Sequence, residues 1–139
     1  MKKAVVRRRH GYEHEIELRE HRLIVDEPQE VGGGDQGPTP AELLAASLAS
    51  CTAITLEMYA DRKEWGLGTV EVEADFEHAT ADAPPKFDVK ITLGGELSEE
   101  SQQKLLTIAG KCPVHRALKS QEVEITDSIE FVNENEDED

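Results

Sequence analysis

A long, nearly uncharged stretch at residues 37–56 constrains the fold of this chain more than any other feature, because Glu42 is its only charged residue. Thr39, Pro40 and Glu42 have the spacing of a capping box with proline at the first helical position. We therefore predict a helix that begins at Pro40. Small and apolar residues lie on all its faces, which is typical of a buried helix. We expect it to be too short and too rich in Ser and Thr to span a bilayer.

The composition indicates an acidic protein with a thin core. Among 139 residues, the formal net charge is −15, 37% are hydrophobic and 4% are aromatic. Nucleic acids and anionic membranes bind basic surfaces, so neither is an expected partner. An acidic surface instead suits solubility in a high-salt, halophilic cytoplasm, and an intertwined oligomer would enlarge the small core. We expect one domain at residues 1–132 and a disordered acidic tail at 133–139.

The N-terminus shows no signal-peptide pattern, because Arg7 follows the short apolar run Ala4-Val5-Val6. The chain is therefore expected to be cytoplasmic. In that compartment its two cysteines are expected to be redox-active, metal-binding or inert rather than a standing structural disulfide.

Alternating and periodic patterns predict the other elements. Residues 3–26 read as strands, residues 27–38 as a loop, and residues 70–76 and 87–93 as two strands with a polar outer face. Ser98 is the expected N-cap of a second helix that carries Cys112 on its buried face. A final strand is expected from the apolar residues Val123, Ile125, Ile129 and Phe131.

Cys51 and Cys112 both fall at core-facing positions of predicted helices. Each could be no more than a small buried hydrophobe. Pro113 could place Cys112 at a helix N-terminus, beside Lys111 and His115, and such surroundings favour the thiolate form of a cysteine. Local pattern alone therefore nominates Cys112 as the reactive thiol. Cys51, Cys112 and His115 lack the spacing of a metal site, so neither a metal nor another cofactor is predicted.

Two separated motifs resemble the OsmC/Ohr family of thiol-dependent peroxidases. The first runs from the Gly32-Gly33 pair through the Gly37-Pro38-Thr39-Pro40-Ala41-Glu42-Leu43-Leu44 run to Ala49-Ser50-Cys51-Thr52, and the second is Lys111-Cys112-Pro113-Val114-His115-Arg116-Ala117-Leu118. The match also includes residues 59–63. The resemblance implies an α+β fold of the OsmC-like type, in which antiparallel strands wrap two central helices. It also implies an intertwined homodimer with two active sites at the interface.

The resemblance further implies a mechanism. Cys51 would attack an organic hydroperoxide and become a sulfenic acid, Cys112 would condense with it to a disulfide, and an external dithiol would reduce that disulfide. In this mechanism Cys51 is the thiol that attacks the peroxide, whereas the local charges favour Cys112 as the reactive thiol. Two alternatives stay open: a non-catalytic member of the fold that binds a small molecule or thiol, and a thiol–disulfide or sulfur-transfer protein.

The supporting residues of the family are matched incompletely. Its usual glutamate stands ten positions before the first cysteine, where this chain has Ala41, and the neighbouring Glu42 is explained by the capping box. The family also uses an arginine to hold the thiolate. Arg22 is the candidate here, because no arginine occurs between it and Arg62, and Arg7, Arg8, Arg9 and Arg19 stay open. His115 is a candidate for tuning Cys112.

Overall fold

The computed structural model describes residues 3–133. The predicted tail therefore lies outside the described residues, apart from Asn133. The described residues form two antiparallel sheets and three α-helices. The strands are β1 (Val5–His10), β2 (Glu13–Leu18), β3 (His21–Val25), β4 (Val70–Glu77) and β5 (Lys86–Leu93), and the helices are α1 (Pro40–Lys63), α2 (Glu99–Ala109) and α3 (Pro113–Lys119).

The N-terminal strands form an antiparallel meander in the order β1-β2-β3. Val6 stands opposite Ile16, and Ile16 stands opposite Leu23, so apolar side chains share one face of the sheet. Gly11, in the β1–β2 turn, has a φ of 57°, a left-handed conformation that glycine adopts without strain. The predicted strands in residues 3–26 are confirmed.

Helix α1 begins with the predicted capping box. The amide of Glu42 donates to Thr39 Oγ1 at 3.1 Å, and the amide of Thr39 donates to Glu42 Oε1 at 2.9 Å. The helix ends at Glu64, whose φ of 58° is left-handed. Its 24 residues overturn our expectation of a short helix, because α1 is long and apolar enough to cross a bilayer by length and composition. The core helix of a soluble protein can have the same length and apolar composition.

Within one chain, α1 is buried along a single line rather than all round. Its buried residues, spaced every four positions and therefore on one face, are Leu48, Thr52, Leu56 and Ala60. On the opposite face, Ile54 and Met58 are 50% and 59% exposed. The prediction of burial on every face is therefore wrong for the isolated chain, because small residues around a helix permit close packing but do not supply the neighbours.

The second sheet and α2 cover the buried line of α1. β4 and β5 pair in antiparallel fashion, with Val72 opposite Ile91 and Phe76 opposite Phe87. The rings of Phe76 and Phe87 stack with their centroids 4.7 Å apart. The main apolar core consists of Leu56, Ala60, Leu67, Leu105 and Ala109. This core joins α1 to α2 beside the hairpin.

Two predictions for the C-terminal third need correction. Ser98 caps α2 as expected, by accepting a hydrogen bond from the Ser101 amide at 3.1 Å, but α2 ends at Ala109. Cys112 is therefore not part of α2; it is the N-cap of α3. The predicted final strand is also absent from residues 120–133, where Ile125 and Phe131 are 77% and 88% exposed. A strand requires a paired backbone neighbour, and alternation of side chains does not provide one.

Candidate functional site at the two cysteines

Cys51 lies in the middle of α1, one position before the buried Thr52. Its side chain is half-buried and its thiol is free. Within residues 3–133, no hydrogen bond or ion pair involves the Cys51 side chain. The helix therefore places this thiol at the boundary between the core and the surface, where a small molecule can reach it.

Cys112 is fully buried and caps the short helix α3. Its Sγ accepts a hydrogen bond from the His115 amide at 3.3 Å, in the place of the oxygen of a usual N-cap side chain. Pro113 occupies the first helical position, where a backbone N–H would have no partner within the helix, so the lack of one in proline costs no hydrogen bond. The Cys-Pro sequence thus fixes both the start of α3 and the position of the sulfur.

Thr52 connects the two cysteine positions. Its Oγ1 lies 3.8 Å from Cys112 Sγ, and the same hydroxyl donates to the Leu48 carbonyl at 2.9 Å. A threonine hydroxyl has one proton. With that proton directed at Leu48, the thiol of Cys112 is the donor to Thr52. Because Thr52 follows Cys51 directly, Cys112 contacts α1 one residue away from Cys51.

The remaining predicted site residues lie as follows. Glu42 takes part in the capping box. Arg22 forms ion pairs with Glu15 at 3.0 Å and with Glu17 at 3.1 Å, and the described contacts join neither Arg22 nor Glu42 to Cys51. His115 contacts Cys112 through its backbone, and its ring Nδ1 is buried without a hydrogen-bond partner. In residues 3–133, no group of three His, Cys, Asp or Glu side chains could hold a metal ion.

A largely apolar cavity of about 380 Å³ lies between α1, α3 and the β4–β5 hairpin. Leu48, one turn before Cys51, lies on one side, and His115, one turn after Cys112, lies on the other. We name it the α1–α3 cavity after these two helices. Sequence reasoning did not identify Thr52 or the residues that line the cavity. The spacing of Leu44, Leu48 and Cys51 could have indicated the α1 side of the cavity, since these positions share a helix face.

Buried Asp26 organises the loop that leads into α1. Its carboxylate accepts hydrogen bonds from the amides of Glu27 at 2.7 Å and Gln36 at 3.1 Å. The bond from Glu27, with smaller contributions from Gln36, Gly34 and His10, lowers the pKa of Asp26 below its ordinary value. The Asp26 amide also donates to the Pro38 carbonyl at 3.1 Å. The carboxylate thus closes the loop just before the capping box, a role that sequence reasoning did not assign.

The fold and the cysteine pair define an OsmC-like protein. The family profile described as OsmC-like protein matches residues 32–126, and the chain belongs to this family. No curated protein sequence matches the chain significantly. The predicted resemblance and the α+β fold class are both confirmed.

Solved structures with this fold come from several bacteria. A Psychrobacter arcticus protein, described as an osmotic stress induced and detoxification response protein, has 24% identity and a TM-score of 0.74, covering 84% of this chain and 87% of its own. An OsmC like protein from Mycoplasma pneumoniae has 16% identity and a TM-score of 0.72, and the match covers 87% of this chain and 89% of the Mycoplasma chain. The organic hydroperoxide resistance protein OhrB of Bacillus subtilis has 24% identity and a TM-score of 0.58, and the match covers 86% of this chain and 92% of the Bacillus chain. At these identities the likeness establishes the fold.

Proposed function

We propose that this protein is a cysteine-based peroxidase that reduces organic hydroperoxides in oxidative-stress defence. The observation that carries the proposal is the contact between Thr52 Oγ1 and Cys112 Sγ at 3.8 Å, which brings the buried thiol to the helix residue next to Cys51. Membership of the OsmC-like family and a fold shared with a hydroperoxide resistance protein support a role in redox chemistry and peroxide defence.

In the first step, the Cys51 thiolate attacks one peroxide oxygen. The O–O bond breaks, the peroxide is reduced to an alcohol that takes up one proton, and Cys51 is oxidised to a sulfenic acid. The half-buried position of Cys51 supports this role, because the attacking sulfur must be reachable from solvent. Cys112 is fully buried and less suited to meet an external peroxide.

In the second step, Cys112 Sγ attacks the sulfur of the Cys51 sulfenic acid. The S–S bond forms and the S–O bond breaks, and the departing hydroxide leaves as water with the thiol proton. An external dithiol then reduces the disulfide and is itself oxidised. A disulfide requires Cα atoms about 4.4–6.8 Å apart, a condition that the approach of α1 and α3 at Thr52 favours.

The α1–α3 cavity supports an organic substrate. Its volume of about 380 Å³ falls within the usual range of small-molecule sites, roughly 300–1,000 Å³. Its walls include Phe76, Phe87 and Val89, which would pack against an alkyl or aryl group. Hydrogen peroxide would gain nothing from these contacts.

We further propose that the active form is an intertwined homodimer. The exposed face of α1 at Ile54 and Met58 and the exposed apolar residues of segment 120–133 are surfaces that a second copy would cover. In the part of the chain that the structure describes, the sheet of β4 and β5 has two strands, which is marginal on its own. We place the protein in the cytoplasm, where dithiol reductants are maintained, without nucleic acid or membrane partners because of its net charge of −15.

A non-catalytic binding protein is the second candidate. Two observations favour it. Glu42 is engaged in the capping box and Arg22 in ion pairs with Glu15 and Glu17, and within residues 3–133 no charged side chain hydrogen-bonds to Cys51. On this reading the cavity would hold a small apolar molecule or thiol without turnover. A thiol–disulfide or sulfur-transfer reaction would use the same cysteine pair without a peroxide.

The decisive assay follows consumption of cumene hydroperoxide by purified protein with a dithiol reductant. We expect turnover by the wild type and a loss of at least about 100-fold in Cys51→Ser. Ser50→Ala is the matched control, because Ser50 is exposed and its hydroxyl bonds only the Ser47 carbonyl. Turnover that persists in Cys51→Ser would contradict the mechanism. A wild type that consumes no peroxide would favour the binding protein.

A further inference from the structure

The α1–α3 cavity has apolar walls on three sides. Leu44 and Leu48 come from α1, Phe76 from β4, and Phe87 and Val89 from β5. A water molecule occupies about 30 Å³ in the liquid, so a cavity of about 380 Å³ holds on the order of ten non-hydrogen atoms. The apolar part of a ligand here is therefore a short alkyl chain or a single aromatic ring.

The polar residues of the lining come from α3, which also contributes Leu118. His115 and Lys119 both line the cavity, and their spacing of four residues places them on the same face of the helix. Lys119 forms no ion pair within residues 3–133, although the chain has 30 acidic residues against 15 lysines and arginines. An unpaired ammonium group beside an apolar cavity is a feature that recognises an anionic head group.

The burial of His115 indicates which ring nitrogen is available to a ligand. Nδ1 is buried without a hydrogen-bond partner, so a proton on it would be an unpaired buried donor. We assign the proton of the neutral ring to Nε2, since a neutral imidazole has one donor and one acceptor nitrogen. His115 lines the cavity, and in this tautomer its Nε2–H is the ring group that can donate to a ligand oxygen.

We propose that the α1–α3 cavity is a binding site for a monocarboxylate with a short apolar body. The apolar body packs between Leu48 and the phenylalanines, and the carboxylate lies between the Lys119 ammonium and the His115 Nε2–H. The proposal is about equilibrium binding, and it does not depend on whether Cys51 reduces a peroxide.

The test compares three ligands that share one chain and differ in the head group. Octanoate, 1-octanol and octylamine are titrated by calorimetry into the reduced full-length protein, without peroxide. Octanoate is expected to bind about fivefold more tightly than octanol, and octylamine more weakly than either. Lys119→Met, which keeps the apolar stem, removes the preference of octanoate over octanol. Lys104→Met, an exposed lysine on α2 away from the cavity, leaves it unchanged.

His115→Phe provides a second variant that keeps a ring of similar size without the N–H. Octanoate affinity is expected to fall about threefold, with octanol affinity unchanged. Equal affinities for the three ligands, no binding of octanoate, or an unchanged preference in Lys119→Met would each overturn the site. Cumene hydroperoxide has no carboxylate, so the peroxidase assay succeeds or fails independently of these titrations.

Discussion

Thr52 Oγ1 and Cys112 Sγ lie 3.8 Å apart in the interior, where they join the central helix to the cap of a short helix that is far away in sequence. The Thr52 hydroxyl donates to Leu48, so it accepts the proton of the Cys112 thiol. We infer that Thr52 holds the buried sulfur in a fixed orientation toward the helix turn that carries Cys51.

Replacing Thr52 tests this relationship. We expect Thr52→Val to slow formation of the Cys51–Cys112 disulfide about fivefold, because one hydrogen bond contributes about 1 kcal/mol. The rate of Cys51 oxidation by peroxide should not change, and Thr52→Ser should restore disulfide formation. Stopped-flow fluorescence or quenched mass spectrometry separates the two rates. Disulfide formation at the wild-type rate in Thr52→Val would show that Thr52 does not position Cys112.

Glu42 is expected to act in the structure rather than in catalysis. Glu42→Gln can still accept the Thr39 amide in the capping box, so stability and peroxidase activity should both stay close to the wild type. Thr39→Ala removes the other half of the box and should lower the free energy of unfolding by about 1 kcal/mol. Urea unfolding and the peroxide assay provide the two measurements. A large loss of activity in a fully folded Glu42→Gln variant would make Glu42 catalytic.

Asp26 is expected to make stability depend on pH. Because the folded state lowers the pKa of Asp26, its stabilisation is present above the ordinary value of 3.8 and is lost as the pH falls through the lower folded-state value. Asp26→Asn should therefore melt at a lower temperature than the wild type at pH 7. The difference should shrink as the pH falls below about 3.8.

Asp35→Asn is the matched control for Asp26, because Asp35 is an exposed residue of the same loop with a left-handed φ of 54° that asparagine tolerates. Thermal melts of both variants across the pH range give the comparison. A difference between wild type and Asp26→Asn that is the same at pH 7 and pH 3 would contradict the role of the charge.

The exposed face of α1 is expected to be the dimer interface. Ile54→Glu places a charge in the middle of that face and should convert the dimer to a monomer, because an unpaired carboxylate is costly to bury. Ile54→Leu keeps the apolar surface and should remain dimeric. Light scattering after size-exclusion chromatography measures the mass directly. A wild-type monomer, or an unchanged mass in Ile54→Glu, would exclude this face as the interface.

The sequence predicted best what depends on local chemistry. The capping box at Thr39 and Glu42 was confirmed, as were the strands predicted within residues 3–26, 70–76 and 87–93, because these patterns involve residues close in the chain. Sequence could not predict what depends on distant neighbours. The burial of α1 on one line, the contact of Thr52 with Cys112 and the bonds of Asp26 to the loop all require the tertiary fold. The prediction of a strand at residues 120–133 failed for the same reason. Alternation of apolar residues is a local pattern, whereas a strand needs a backbone partner from elsewhere in the fold.

The central claim is that a peroxide links Cys51 to Cys112. The reduced protein is treated with one equivalent of cumene hydroperoxide, its remaining free thiols are alkylated, and its peptides are analysed by mass spectrometry without reduction. We predict an intramolecular Cys51–Cys112 disulfide in the wild type and a Cys51 sulfenic acid in Cys112→Ser. Two unmodified thiols after complete exposure to the peroxide, or a disulfide only between the Cys51 residues of two chains, would contradict it.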